Sequence, residues 1–351
     1  MNVMQAYVDE QPAVLADVLA GQSQYALPTF PRVRRVILFG SGSSYHAAVL
    51  AAPFWVRALG VEATPVIPTH MQALDVVDTE GLLYVAVSQG GRSTNTYHQV
   101  QALRARGIPV IAVTESTDTP VGQQADFALG LPIGQETIGA KTKGMTATAV
   151  TLVLLALALG QAQGTAPAAW CADIQSGLQA WVGQLPEHLT RAKAWAQAVC
   201  PDLAPARHLY VLGKGAAYGA ALEGGLKLLE TTYRPVSCYE FEEYLHGIQN
   251  ALDARSYLLC LMPSDGDAVR MRRLTDFAYE QGAHTYRISG DIQDRRGAHD
   301  LILPPAPHPM LEGLVYLPAL QTLSAALSAY CGIDVTQRRY PDFFSRMESK
   351  L

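Results

Sequence analysis

Glu223, Lys227 and Glu230 follow one another at spacings of four and three residues, which puts all three on one face of a helix. Downstream, Tyr239-Glu240-Phe241-Glu242-Glu243-Tyr244-Leu245-His246-Gly247 gathers three carboxylates and a histidine among aromatics. A carboxylate can carry a proton between adjacent carbons, while a histidine titrating near neutrality handles hydroxyl protons. A surface ion-pair stripe and a solvated helix end share these spacings, so the pattern alone selects no reaction. The nine histidines include no HxH or HExxH pair, and no cysteine partners them, so no metal set is read.

Two small-residue loops could hold an anion. Gly40-Ser41-Gly42-Ser43-Ser44 follows the apolar run RRVILF, and Ser88-Gln89-Gly90-Gly91-Arg92-Ser93-Thr94 follows LLYVAV. Glycines let the backbone close on a ligand, hydroxyls donate hydrogen bonds, and the helix N-termini that follow add free N–H groups. A single such loop is better explained by an ordinary capped turn; two in one domain weaken that explanation and together describe a phosphate cradle. The third glycine of a dinucleotide fingerprint is absent, and so is a GKS or GKT motif, which removes nicotinamide and P-loop chemistry. GAKTKGMTATAV, from Gly139 to Val150, places Lys141 and Lys143 where a helix starts, a position that an anion nearby makes tolerable and that solvation explains as well.

These residues need elements to hold them. Strand, small-residue loop and helix recur from Arg34 to Leu59 and from Leu82 to Arg106, followed by a strand at 108–114. The plan then restarts: HLYVLGKGAAYGAALEGGLKLLE lines up without a gap on RVILFGSGSSYHAAVLAAPF, Gly40 facing Gly213, Gly42 facing Gly215 and Tyr45 facing Tyr218. SYLLCLMPS at 256–264 matches the second strand and its turn, and HTYRISG matches the third. The expectation is an α/β protein of two tandem domains, each a parallel sheet flanked by helices in three layers, doubly wound. Expected boundaries are an N-terminal helical segment at 1–30, domains at 31–165 and 201–335, a helical linker at 166–200 with Pro167 and Pro186 bounding helical stretches, and a tail at 336–351.

Composition narrows the partners. Of the 351 residues, 49% are hydrophobic and 16% charged, enough for two sizeable cores. The net charge of -5 is spread without basic clusters, which argues against nucleic acid and against a polybasic membrane contact. Five dispersed cysteines offer neither a disulfide framework nor a CxxC pair, and the N-terminus carries no signal core. The run from Ala147 to Gly160 is too short to span a bilayer and reads as a buried helix. A cytoplasmic location is expected, with no cofactor.

The residues resemble the tandem sugar isomerase (SIS) domain family, whose best-known member is the isomerase half of glucosamine-6-phosphate synthase. The resemblance runs from about Arg34 to the end of the chain, on SGSSYHAA, SQGGRSTNT, ALEGGLKLLETTY and EEYLHG. It implies that Ser43, Ser44, Ser88, Gln89 and Ser93 are sugar-phosphate ligands, that Glu230 moves a proton between carbons 1 and 2, and that His246 helps open the sugar ring. In relatives that histidine comes from the neighbouring subunit, which implies a homodimer with shared active sites. Glu223, Lys227 and Glu243 fall on positions that line or support the site, and Lys141 or Lys143 is a further candidate ligand.

Three departures shape the expected activity. Gly90 and Arg92 stand where the family has a serine and a glutamate, and Phe343 stands where the synthase carries a Schiff-base lysine. With the first strand only some thirty residues from Met1, no glutaminase domain is expected before it, and glutamine-dependent synthesis is not expected. Gln337-Arg338-Arg339-Tyr340 resembles the TRRY ending of fructosamine 6-phosphate deglycases, bringing Arg339 into the candidate site, and GAKTKG resembles their GEKTMKG segment. The expected outcome is release of an amine, by deglycation or deamination, ranked above plain aldose–ketose isomerisation. The alternative is a sugar-phosphate sensor of the same fold without catalysis.

Overall fold

A computed structural model describes residues 2–21, 27–74 and 80–351. In chain order come α1 (Val3–Asp9), α2 (Gln11–Gly21), β1 (Arg35–Phe39), α3 (Ser43–Leu59), β2 (Glu62–Val66), β3 (Leu82–Val87), α4 (Thr94–Ala105), β4 (Val110–Thr114), α5 (Pro120–Gln124), β5 (Phe127–Gly130) and α6 (Lys143–Ala162). There follow α7 (Ala168–Leu203), β6 (Leu209–Gly213), α8 (Tyr218–Thr232), β7 (Val236–Glu240), α9 (Phe241–Tyr244), β8 (Tyr257–Leu261), α10 (Ala268–Glu280), β9 (His284–Ser289), β10 (Leu301–Ile302), α11 (Glu312–Tyr330) and α12 (Phe343–Arg346). Of the segment expected to be helical at 1–30, residue 1 and residues 22–26 lie outside the described ones.

The chain forms two five-stranded parallel sheets, ordered β2-β1-β3-β4-β5 and β10-β9-β8-β6-β7. It is an α/β fold of two copies, with β6 to β10 repeating β1 to β5. Two compact units contain them: one comprises Ala13–Glu136, Lys143–Gln175 and Arg338–Leu351, the other Met1–Pro12, Thr137–Thr142 and Ser176–Gln337. We call them the first-copy and second-copy units.

The apolar runs become strands because both faces are covered. In the first copy, Ile37, Phe39, Tyr84, Ala86, Val110 and Ala112 pack with Val100 and Leu103 of α4 and Val121 of α5. The alternate residues Val36, Leu38, Val85, Val87 and Ile111 are equally buried. In the second copy, Leu212, Leu258 and Cys260 pack with Met271 and Leu274 of α10 and with Phe241 and Tyr244 of α9. Each fully buried Val, Leu, Ile, Phe or Met among them stabilises by about 1.5–3 kcal/mol relative to an exposed one.

Winding direction reverses between β1 and β3 in one sheet and between β6 and β8 in the other. Ligand crevices in such sheets open beyond the carboxyl ends of the strands at that switch point. The Gly40–Ser44 and Ser88–Thr94 loops leave β1 and β3 there. Two helices, Lys143–Ala162 and Pro309–Tyr330, are long and apolar enough to cross a membrane by length and composition, yet 83% and 89% of their apolar windows are buried within the fold. Pro186, expected to bound a helix, lies inside the 36-residue α7.

Candidate active site

In the first-copy unit the β1 loop is pressed against the end of β3. A Cβ on Gly40 would stand 2.6 Å from the Val87 carbonyl oxygen, so only glycine fits. Gly42, at φ +58, turns the chain into α3, whose first residues are Ser43 and Ser44, both half-buried. No side chain caps this helix start, which leaves N–H groups pointing out of the loop. In the β3 loop Ser88 and Gln89 are buried, and Gly91, at φ +58, takes a position where a Cβ would meet Thr119 Oγ1 at 2.1 Å. Ser93 is the N-cap of α4 but its hydroxyl makes no capping bond; it accepts instead from Thr96 Oγ1 at 3.2 Å.

Gln89 is held from behind. Its Nε2 donates to Glu136 Oε2 at 2.9 Å, and the same oxygen accepts from the Gly144 backbone N–H at 3.1 Å. A Cβ on Gly144 would collide with the Gln89 amide at 1.9 Å, so glycine at the start of α6 makes room for this bond. Lys143 beside it is 4% exposed, and a Cβ on Gly134 would lie 3.9 Å from its Nζ. The C-terminal residues run along the same loop: Ser93 bridges Lys350, and the Leu351 N–H donates to the Arg92 carbonyl at 2.9 Å. Arg339, exposed and with its guanidinium 5.5 Å from the Tyr340 ring, belongs to this unit too.

The second-copy unit carries the charged helix face. On α8, Lys227 Nζ lies 3.4 Å from Glu223 Oε1 and 2.5 Å from Glu230 Oε2. The Glu223 and Lys227 side chains are 0% and 1% exposed, whereas Glu230 is 35% exposed. Burial opposes the lysine's charge, but the two carboxylates more than offset it and hold its pKa above the ordinary value. The ammonium thus ties down one oxygen of Glu230, and the other meets no hydrogen-bond donor among the described residues. Two glycines let α8 sit deep: a Cβ on Gly224 would stand 2.4 Å from Leu320 of α11, and one on Gly225 would stand 2.0 Å from Cys238 Sγ.

The structure brings Glu223, Lys227 and Glu230 together; among the described residues no hydrogen bond or ion pair joins His246 or Glu243 to that cluster. Both are exposed, Glu243 within α9 and His246 on the turn after it, where the His246 N–H donates to the Glu243 carbonyl at 3.1 Å. Gly247, at φ +116, reverses the chain immediately afterwards. Glu242 is paired with Arg270, which holds its carboxyl below the usual range. Lys141 is in the second-copy unit, while Lys143 and the phosphate-type loops are in the first. No group of three or more metal-ligating side chains occurs among the described residues.

The SIS domain model matches residues 30–158 and 202–330. This chain belongs to the SIS domain family. The chain is 29% identical over 348 residues to the glutamine–fructose-6-phosphate aminotransferase of Pseudomonas putida, covering 95% of this chain and 56% of that protein. The Pyrobaculum aerophilum enzyme of the same name is 31% identical over 242 residues, 68% of this chain and 39% of its own length. The chain thus spans about half the length of the curated relatives it matches. A candidate phosphosugar isomerase from Clostridium difficile 630 superimposes with a TM-score of 0.90 at 25% identity, covering 100% of this chain and 99% of that one. The C-terminal domain of the Francisella tularensis glucosamine-fructose-6-phosphate aminotransferase shares the fold at a TM-score of 0.87 and 20% identity, over 95% and 98% of the chains.

Within the first SIS copy, sequence reasoning missed Glu136. It lies 47 positions from Gln89, in a segment with no periodicity to mark it, and only the fold brings the two together. A signal was available in GQETIGAKTKG: an acidic residue a few positions before a helix start with a glycine at its second position satisfies a backbone N–H there.

Proposed function

We propose that this chain binds the open form of a ketose phosphate or amino-sugar phosphate and moves a proton between carbons 1 and 2, with release of an amine ranked above plain isomerisation. Glu230 is the base. The observation that carries this reading is the Glu223–Lys227–Glu230 cluster: a buried ion pair of this kind costs desolvation energy, and its outward end is a single half-exposed carboxylate. A carboxylate so fixed is oriented before substrate arrives, which is what proton transfer between neighbouring carbons needs.

In this reading Ser43, Ser44, Ser88, Gln89 and Ser93, with the N–H groups at the start of α3, hold the phosphate. Lys141, Glu243 and Arg339 line the substrate, and Glu223 and Lys227 support the base. His246 carries the ring-opening proton; its exposure supports its presentation to a neighbouring subunit in a homodimer with shared sites. On a fructosamine phosphate, Glu230 removes a proton from carbon 1 and returns it to carbon 2, while the nitrogen's proton passes to the carbon-2 oxygen, which turns the ketone-amine into an imine at carbon 1 beside a hydroxyl at carbon 2. Water adds to that carbon, the C–N bond breaks, and the amine leaves with the nitrogen's electron pair and a proton. Atoms and electrons balance without an oxidant. The preference for amine release rests on the Gln337–Tyr340 ending and on Phe343 in place of the synthase lysine.

The test is turnover of fructosamine 6-phosphates, glucosamine 6-phosphate and fructose 6-phosphate by the wild type and Glu230→Gln. Amine release by the wild type, lost in the variant with binding retained, is the expected result. Wild-type binding without turnover of any of them would leave a sensor, and normal turnover by the variant would remove Glu230 as base.

A further inference from the structure

A cavity of about 240 Å³ opens at the carboxyl ends of β8 and β9 in the second-copy unit, lined among others by Ser264, Asp265, Arg272, Asp291, Glu312 and Tyr316. Through the repeat, these strand ends correspond to those of β3 and β4 in the first copy. The phosphate-type chemistry is gone from here. Leu212 answers to Phe39, and the pairings Phe39↔Ala86 and Leu212↔Cys260 set Cys260 at the place of Ala86. Met262 and Pro263 therefore replace Ser88 and Gln89. Lys214, on the loop after β6, is spent on Asp265 and Asp267.

What the cavity offers instead is charge of both signs. Glu312, 6% exposed, accepts hydrogen bonds from the side chain and backbone of Ser264, and burial pushes its carboxyl up. Asp291 uses Oδ1 to accept from the Gln293 N–H at 2.9 Å, and its other oxygen meets no protein donor among the described residues. Arg272 gives Nη1 to Asp294 Oδ1 at 2.9 Å, and its Nε and Nη2 make no bond among the described residues. Tyr316, which donates to the Met262 carbonyl at 2.9 Å, forms the inner wall. Three carboxyl groups disfavour a phosphate, while a planar guanidinium edge with two unspent donors matches a carboxylate.

We propose that this cavity binds a small α-amino acid as its zwitterion, the ammonium held by Asp291 and Glu312 and the carboxylate by Arg272. Ala268, Pro305 and Ala306 on the remaining wall suit a short apolar side chain. The site shares no residue with the proposed catalytic machinery and does not rest on that reading.

Calorimetric titration of the full chain with L-alanine tests it, with ethylamine and propionate as probes that each carry one of the two charges. L-Alanine should bind at least about tenfold more tightly than either half-probe, since each loses charge-assisted hydrogen bonds. Glu312→Gln and Asp291→Asn keep the acceptors for Ser264 and Gln293, so the fold should persist while L-alanine affinity falls about tenfold or more. Absence of L-alanine binding at millimolar concentration, unchanged affinity in both variants, or equal binding of one half-probe would each overturn the proposal. Because the readout is binding, a wild type that takes up L-alanine but turns over no sugar phosphate would refute the catalytic reading alone.

Discussion

The two SIS copies share a strand order and a gap-free alignment through their first loop and helix, yet they place their polar residues in opposite parts of it. In the first copy the loop carries Ser43 and Ser44, and the helix behind it buries Leu50 at 1% and Phe54 at 0% exposure. In the second copy the same loop positions are Ala216 and Ala217, and the same helix positions are Glu223 and Lys227, at 0% and 1%. The pair that ends the series is Arg57 against Glu230, each on the outward side. An apolar pair and an ion pair thus fill equivalent buried sites. Only the first is what stability alone favours, because taking two charges out of water costs more than their attraction usually returns. The duplicated fold has divided its work: one copy keeps the anion-ready loops, the other gives up stability for a fixed carboxylate.

The largest expected effect breaks that division at its reactive end. Glu230→Gln keeps the shape and removes the base, and should lower kcat by about 10²–10⁴-fold with KM nearly unchanged. Steady-state rates on an accepted sugar phosphate check it; a change confined to KM would make Glu230 a binding group. Next, Lys227→Met should cost about 3–5 kcal/mol in urea unfolding, because Glu223 stays buried without its cation. Glu223→Leu with Lys227→Met copies the first copy's apolar pair and should restore that stability, or exceed it, while turnover stays lost because nothing orients Glu230. The ammonium's raised pKa means that its stabilisation is fully present at neutral pH and is lost only as pH rises beyond the ordinary lysine value.

A third effect appears in acid and belongs to the second-copy unit. His188 on α7 is 2% exposed, neither ring nitrogen has a hydrogen-bond partner among the described residues, and burial lowers its pKa to about 4. Unfolded histidine takes up its proton near pH 6.5, so below that value the unfolded chain binds more protons than the folded one. Stability is therefore intact above about pH 6.5 and falls as pH drops toward 4, by up to about 3 kcal/mol. His188→Leu should flatten that slope in urea titrations at stepped pH. An unchanged slope would assign the acid sensitivity elsewhere.

Much of this contrast was legible before any coordinates. The run RRVILF, the glycines at 40 and 213 and the three-and-four spacing on α8 are local signals, and locally they have one physical solution. The strands β2 and β5 were not read. EATPV is short, polar and contains Pro65, and FALG has four residues, so both rely on a neighbouring strand for their conformation. Pro186 misled for a related reason: packing along a 36-residue helix outweighs the one hydrogen bond that a proline removes. The Gln89–Glu136 bond and the division of Lys141 from Lys143 depend on tertiary placement, which spacing does not carry.

The smallest effect tests the first copy's loop against its counterpart. If Ser43 and Ser44 hold a phosphate, each loses one hydroxyl bond to a charged oxygen on conversion to the second copy's alanine, about 1.5 kcal/mol or somewhat more. The phosphate is remote from the reacting carbons and is held equally in ground and transition states, so the loss should fall on KM, about tenfold per residue, with kcat within about twofold of wild type. Ala216→Ser and Ala217→Ser should leave both constants unchanged, because the second copy's loop faces Gly313, where a Cβ would stand 2.1 Å from the Ala216 carbonyl oxygen, and has no room for an anion on that side. A fall in kcat at constant KM for Ser43→Ala or Ser44→Ala would move those hydroxyls from the phosphate to the reacting carbons, and the division of labour between the copies would have to be redrawn.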